Sequence, residues 1–318
     1  MTKYIISGAA GFIGYHLAKS LASESTNEVI CVDNFVRGEP DAAYERLAKL
    51  DNVTALNLNL SDQQAVATLP DADVVLHLAA LNGTQNFYER PFDVVRHCTL
   101  PTMFLLDRYA KPGLARFVYA GTSEAYASIV TRFGWKVPTG EDVPVGLDDV
   151  TNPRWSYAAS KMHGEIATIN ACRSAGVPWS VIRFHNVYGP RMGDKHVIPD
   201  FYIRARQGRF ELYGHEDTRA FIFIDDAVVA TRLIAETPAC AGEIINLGGE
   251  LEINIGDLGL KMMAAGGFDG NITLHPSPAG SVKRRAPDLA KIRRLTGFKE
   301  DWSLEAGLRE TAKFYLNP

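Results

Sequence analysis

Tyr157 and Lys161 are the residues of this chain whose types and spacing point most directly to chemistry. Four positions apart on a helix, they would share a face and point the same way. A phenol ordinarily titrates at about pH 10, and a neighbouring ammonium favours its ionised form. The pair could therefore act as a general base near neutral pH. The same spacing also describes an aromatic packed beside a solvated lysine, so the surrounding chain has to decide.

A second group lies at the start. Tyr4 to Ser7 reads as a short buried strand that runs into Gly8-Ala9-Ala10-Gly11-Phe12-Ile13-Gly14, and a helical pattern follows from His16 to Ala22. A glycine-rich turn between strand and helix lets backbone approach a pyrophosphate, which then sits at the helix N-terminus. Asp33 closes the next apolar strand, Glu28 to Val32, nineteen positions after Gly14. A carboxylate there suits the ribose hydroxyls of an adenosine and repels a 2'-phosphate, which favours NAD over NADP. Arg37, four positions on, is the nearby group of opposite sign.

These residues need a scaffold, and the chain supplies one. Val53 to Leu58, Val74 to Leu78 and Arg116 to Ala120 repeat the short apolar strand signal, with helical stretches such as Thr102 to Tyr109 between them. That alternation predicts a doubly wound parallel sheet. After Gly189 the pattern is broken by Pro190, Pro199, Gly208 and Gly214, where loops are expected to leave the sheet. Leu304 to Leu316 reads as a packing helix.

Bulk properties exclude several classes. A net charge of -4 with no long run of Lys or Arg gives no expectation of a surface for nucleic acid. Cys31, Cys98, Cys172 and Cys240 lack the paired spacing of a zinc site or a disulfide framework, so no metal and a reducing cytoplasm are expected. The strand pattern begins almost at Met1, and no apolar run approaches the roughly 20 residues of a membrane helix, so neither a secretion signal nor a membrane is expected.

Gly8-x-x-Gly11-x-x-Gly14, Asp33, His77-Leu78-Ala79-Ala80, Thr122-Ser123-Glu124-Ala125-Tyr126, Tyr157-x-x-x-Lys161 and Arg183-x-x-Asn186-Val187-Tyr188-Gly189-Pro190 follow one another in that order. Together they resemble the extended short-chain dehydrogenase/reductase family, in its nucleotide-sugar epimerase/dehydratase branch. Phe221 to Asp226, Asn246-Leu247-Gly248-Gly249 and Pro287-Asp288 are similar to that family's C-terminal landmarks, so the likeness covers nearly the whole chain.

The resemblance implies an α/β fold: a Rossmann-type doubly wound parallel sheet with a smaller C-terminal substrate-binding domain. Residues 1–188 would bind NAD and carry the Tyr157 helix; residues 189–318 would mainly bind substrate, with segments near 220–250 returning to the sheet. Gly8, Gly11, Phe12, Ile13, Gly14, Asp33, Asn34, Asn59, Leu60, Leu78, Ala79 and Ala80 are the implied cofactor contacts, with Tyr157 and Lys161. Ser123, Asn186, Arg219, Arg284 and Arg285 are the implied substrate contacts, the arginines facing a diphosphate; a solvated basic face at Lys283-Arg284-Arg285 is the plainer reading.

The implied reaction oxidises a hydroxyl of a nucleotide-diphosphate sugar, at C4, by hydride transfer to a tightly held NAD. Tyr157 would be the base, Lys161 would lower its pKa and hold the ribose, and Thr122 would hydrogen-bond the reacting oxygen. The 4-keto sugar would then be epimerised or dehydrated. Alternatives are a nucleotide-uronate decarboxylase and an NAD(P)H-dependent ketoreductase; a non-catalytic NAD-binding scaffold is disfavoured by the intact Tyr157 and Lys161.

Glu124 bears on this choice, because in its Thr-Ser-Glu setting it resembles residues that stand near C5 and C6 in dehydratases and decarboxylases. A satisfied structural carboxylate is the competing reading. No arginine matches the one that would grip a substrate carboxylate, which weighs against decarboxylation. Cys98 and Pro101 depart from the family pattern and suggest a reshaped helix after Pro91; Asn59 stands where an Asp is usual. The long connection from Ile129 to Val150 is expected to form a substrate lid or a subunit interface. A homodimer built on the Tyr157 helix and the Thr102 region is implied.

Overall fold

In the computed structural model, which describes residues 1–277 and 282–317, thirteen strands follow in chain order. They are β1 (Thr2–Ser7), β2 (Asn27–Asp33), β3 (Val53–Asn57), β4 (Val74–His77), β5 (Arg116–Thr122), β6 (Trp179–Phe184), β7 (Asn186–Tyr188), β8 (Glu211–Tyr213), β9 (Thr218–Phe223), β10 (Glu243–Leu247), β11 (Glu252–Asn254), β12 (Thr273–His275) and β13 (Arg284–Arg285). Seven form one sheet in the order β10-β6-β5-β4-β1-β2-β3. Every pairing in it is parallel. The winding reverses between β1 and β4, which is where ligands bind in open α/β sheets.

Alternation along the strands explains why the sheet is covered on both faces. Tyr4, Ile6, Val29, Cys31, Val74, Leu76, Val118 and Ile182 belong to one buried cluster, with Leu17, Ala18 and Leu21 of the helix Phe12–Ala22. Their neighbours Ile5, Ile30, Val32, Val75, Phe117, Tyr119 and Val181 belong to another, with Leu105 and Leu106 of the helix Pro91–Tyr109. The first cluster continues without a break into Phe201, Tyr202, Phe223 and Leu308, so the C-terminal elements share the core of the main sheet.

Close approach places the helix Ser156–Ala175 on β5. A Cβ on Gly164 would come within 2.0 Å of the Tyr119 hydroxyl, so only glycine lets the helix lie this low. One position on, Glu165 meets Arg183 of β6 at 2.9 Å, both side chains almost wholly buried. The helix Pro91–Tyr109 runs through Pro101 unbroken. Proline removes a donor inside a helix; the Thr102 hydroxyl donates to the Cys98 carbonyl at 2.9 Å in the same turn.

The smaller sheet is centred on β9, which pairs in parallel with β7 and β13 and antiparallel with β11. β8 and β12 form a separate parallel pair. β10 lies at the edge of the main sheet beside β6. The long connection after Glu124 forms a helix, Ala127–Phe133, and is then stitched to the segment after β13: Thr139 N donates to the Ala286 carbonyl and Asp288 N to the Thr139 carbonyl, each at 2.9 Å. No helix among the described residues is long and apolar enough to cross a membrane.

Candidate active site

The turn after β1 is shaped for close backbone approach. Gly8 has φ +76° and packs against the Ala79 amide, while a Cβ on Gly14 would stand 2.1 Å from the Gly8 carbonyl oxygen. The helix Phe12–Ala22 starts at Gly11 with no side-chain cap, so its first amides face outward as an anion site. Phe12 and Ile13 in its first turn are half-buried against the core. Beneath the turn, the Ser7 hydroxyl accepts from the Leu78 and Ala79 amides at 3.1 and 3.2 Å and lies 2.6 Å from His77 Nδ1. His77 Nε2 lies 2.9 Å from the Thr102 hydroxyl. Because Thr102 donates to a carbonyl, it accepts from Nε2, and Ser7 donates to Nδ1. Burial holds this imidazole neutral, its pKa pushed down to about 3.

Asp33 ends β2 beside that turn. One carboxylate oxygen accepts the Ala10 amide at 2.9 Å and the other the Phe35 amide at 2.9 Å. Each oxygen keeps a lone pair, as two ribose hydroxyls require. Asn34 and Asn59 are exposed on neighbouring loops and bond their own turns, at Val36 N and Ser61 N. Leu60 is buried, and Leu78 to Ala80 line the chain as it leaves β4.

Thr122 closes β5 and its hydroxyl accepts from the Glu124 amide at 3.3 Å. Tyr157, in the first turn of its helix, lies against it. Burial pushes the Tyr157 phenol well above its ordinary range, and Cys98 and Glu124 add to this; Arg37 and a hydrogen bond from Thr122 pull it down. Phe87 stacks on the phenol ring with centroids 5.3 Å apart and planes inclined by 17°. The Lys161 ammonium donates to the Ala120 carbonyl at 2.7 Å and lies 5.9 Å from the Tyr157 ring centre, so it is anchored to the sheet beside that ring, on the helix face that the spacing predicts.

Glu124 is the centre of an ion-pair cluster. One oxygen meets Arg154 Nη2 at 2.8 Å, the other Arg285 Nη1 at 2.9 Å. Burial raises its carboxyl, but Arg285 and Arg154 outweigh burial and hold it below the usual carboxylate range. Arg219 stands close by: burial, then repulsion from Arg285, push its pKa down to about 10, while Asp217 at 3.5 Å offsets part of this. Arg285 is paired in register with Arg219 between β13 and β9.

The other expected substrate contacts differ in setting. Arg284 points to the other side of β13, half-exposed and doubly bonded to Glu252 at 2.7 and 2.8 Å, away from Arg285. Asn186 braces β9 through the Ala220 carbonyl at 3.1 Å. Ser123 is buried behind Thr122. Arg154, within an Asn152–Tyr157 segment that resembles UDP-glucuronate decarboxylases and apiose synthases, and Phe87 are not among the expected site residues. Arg154 stands three positions before Tyr157 in a turn, and Phe87 lies seventy positions away, so neither spacing marks them.

A model of the NAD-dependent epimerase/dehydratase family matches residues 4–248. The chain belongs to this family. Over 98% of its length it is 31% identical to a UDP-N-acetyl-alpha-D-glucosaminuronate decarboxylase of Bacillus cytotoxicus, of which it covers 97%. It is 28% identical, again over 98% of its length, to UDP-glucuronic acid decarboxylase 1 of Xenopus tropicalis, covering 72% of that protein. Among solved structures it is similar to a UDP-glucuronic acid 4-epimerase from Bacillus cereus in complex with UDP-glucuronic acid and NAD, with a TM-score of 0.87, 25% identity and 99% of both chains covered. As a member of the family it uses NAD, which when bound supplies a hydride acceptor and donor. The residues fit that cofactor: the close Gly8–Gly14 approach leaves room for a pyrophosphate at the helix start, and Asp33 presents free lone pairs to a ribose.

Proposed function

We propose that this enzyme oxidises a ring hydroxyl, at C4, of a nucleoside-diphosphate sugar whose C6 is a carboxylate, and that this carboxylate leaves as carbon dioxide. The observation that carries the reading is the Glu124 cluster: Arg154 and Arg285 converge beside Thr122, and with Arg219 three guanidiniums face two carboxylates, Glu124 and Asp217, in the ion pairs among the described residues. Such a surplus of buried positive charge suits an anionic substituent on the sugar.

Tyr157 removes the hydroxyl proton as C4 becomes a carbonyl, and Thr122 hydrogen-bonds that oxygen. In a 4-keto sugar with a C6 carboxylate, the electrons of the C5–C6 bond can pass into the carbonyl as carbon dioxide departs; C5 is then protonated and C4 reduced again. Elimination of water would instead need an acid to protonate the leaving hydroxyl. Glu124, held below its usual range by two arginines, is a poor one, and its neighbour Ser123 carries no ionisable proton near neutrality. The missing carboxylate grip that weighed against decarboxylation is supplied in this reading by the cluster. The names of the decarboxylases above support it.

Inversion at C4, the outcome placed first from the sequence together with dehydration, remains the second reading. It is supported by the likeness to an epimerase crystallised with a carboxylated sugar. The test incubates the NAD-loaded enzyme with UDP-glucuronate, UDP-N-acetylglucosaminuronate, UDP-glucose and dTDP-glucose, followed by mass spectrometry and absorbance at the reduced-nicotinamide band. Loss of carbon dioxide from a uronate is expected. Unchanged mass with new stereochemistry, or loss of water from a neutral sugar, would sink it, and net consumption of NADH would mean a ketoreductase.

The same proposal places Asn186, Arg219 and Ser123 around the substrate within a C-terminal substrate-binding unit. It also includes a homodimer through the helices Pro91–Tyr109 and Ser156–Ala175, which leave Phe92, Val95, Met103 and Ile166 exposed. Sedimentation at the mass of one chain would overturn the dimer. Four free, buried cysteines suit a reducing cytoplasm.

A further inference from the structure

Each oxygen of Glu124 meets one guanidinium, so in this structure the glutamate and its two arginines are tied to one another. We infer that Arg154 is a movable arm: it exchanges Glu124 for the carboxylate of the sugar, while Arg285 keeps its hold on Glu124. The inference rests on the carboxylated-sugar reading above and names the residue that selects for it.

The two arginines differ in how they are mounted. Arg285 sits on a strand, its backbone paired with Arg219, and its Nε is buried without a partner. Arg154 projects from the single turn Pro153–Trp155, capped only by Asn152, whose side chain accepts the Arg154 amide at 3.0 Å. Its guanidinium lies over two aromatic faces, Trp155 at 5.0 Å and Phe87 at 5.8 Å, with Glu124 as its one ion-pair partner among the described residues. A planar cation resting on rings can shift along them without losing its stacking, and trading one carboxylate for another keeps its charge-assisted bond. Exchange by Arg285 would instead require a strand-mounted cation, as buried as Arg154, to reorganise.

Two consequences follow. Release of one Glu124 oxygen removes one of the two cations that depress its carboxyl, so Glu124 becomes a better proton acceptor only when an acidic sugar is present. Phe87, which lies between the Arg154 guanidinium and the Tyr157 ring, connects the arm to the phenol that starts the reaction. Once the carboxylate has left as carbon dioxide, Arg154 returns to Glu124, and the product, which lacks that anionic group, is held less well than the substrate.

Binding without turnover tests this. In NAD-loaded enzyme carrying Tyr157→Phe, the affinities of UDP-glucuronate and UDP-glucose are measured by calorimetry with and without Arg154→Gln. The background is expected to bind the uronate more tightly. Arg154→Gln should weaken UDP-glucuronate by about 10- to 100-fold, as for loss of a hydrogen bond to a charged group, and UDP-glucose by less than about threefold. Arg154→Lys should recover part of the uronate affinity. Equal losses for both sugars, as from a mere brace of the turn, would overturn the arm, and so would no loss for the uronate or equal binding of both sugars by the background. Failure of the proposed function reads differently: enzyme with Tyr157 intact that binds uronate tightly but releases no carbon dioxide leaves these affinities interpretable.

Discussion

The cofactor turn and the Glu124 cluster follow strands β1 and β5 of the same sheet, with β4 between them, and are built in opposite ways. The turn is made of backbone: Gly8, Gly11 and Gly14 within seven consecutive positions, with Asp33 on the next strand. The cluster is made of side chains from three segments, at 124, 154 and 285. A backbone site tolerates no added atom, because the chain cannot step aside. A side-chain site keeps its shape when one member is cut but changes its charge. The two regions should therefore fail differently when mutated.

The largest effect is expected where they meet. Tyr157→Phe removes the proton acceptor and should cut turnover by about 10²- to 10⁴-fold while leaving NAD bound, read by kinetics and by cofactor released on denaturation. Near-normal turnover would refute Tyr157 as the base. Next, Gly14→Ala drives a methyl into the Gly8 carbonyl; a loss of about 1–3 kcal/mol in stability and of retained NAD is expected from thermal melts and cofactor content. An alanine enzyme that still purifies with full NAD would show that the turn is not the rigid partner in this pair.

Arg285→Gln should do the converse and spare NAD content. With one of its two arginines gone the Glu124 carboxyl rises, so the acid limb of the pH–rate profile moves to higher pH, and uronate turnover falls by about 10- to 100-fold. An unmoved limb would separate Glu124 from the rate.

The smallest effect lies outside both regions. Burial raises the Glu300 carboxyl to about 7. A carboxyl that holds its proton longer folded than unfolded loses stability as pH rises from about 4.5 through 7. Glu300→Gln should accordingly gain most relative to the parent at pH 8 and least at pH 5, a modest difference because the group is only half-buried. Melting curves with equal shifts at both pH values would rule out the titration.

Legibility follows the same division. The strands and the helices around the glycine turn and Tyr157 were readable, because period and turn chemistry are written in consecutive residues. Leu304–Leu316 was read to its ends as a helix, which Ser303 caps through the Ala306 amide at 3.2 Å. Lys161 was readable as sharing a face with Tyr157, but not as bonded to Ala120, because that carbonyl comes from a different strand forty-one positions away. The basic run at 283–285 was seen as one patch, and the strand separates it: neighbours point to opposite faces, so Arg284 goes to Glu252 and Arg285 to Glu124.

What this sequence determined by itself is a strand, a glycine turn, an acidic strand end, and a tyrosine and lysine on one helix face. Residue type and period over a few consecutive positions signal all of these in the sequence. Only the tertiary structure decided that Phe87 covers Tyr157, that Lys161 is bonded to the Ala120 carbonyl, and that Glu124 is held by Arg154 and Arg285. Those contacts join segments whose separation carries no periodic signal, and they exist because the packed sheet and the β9–β13 pairing bring them to one place.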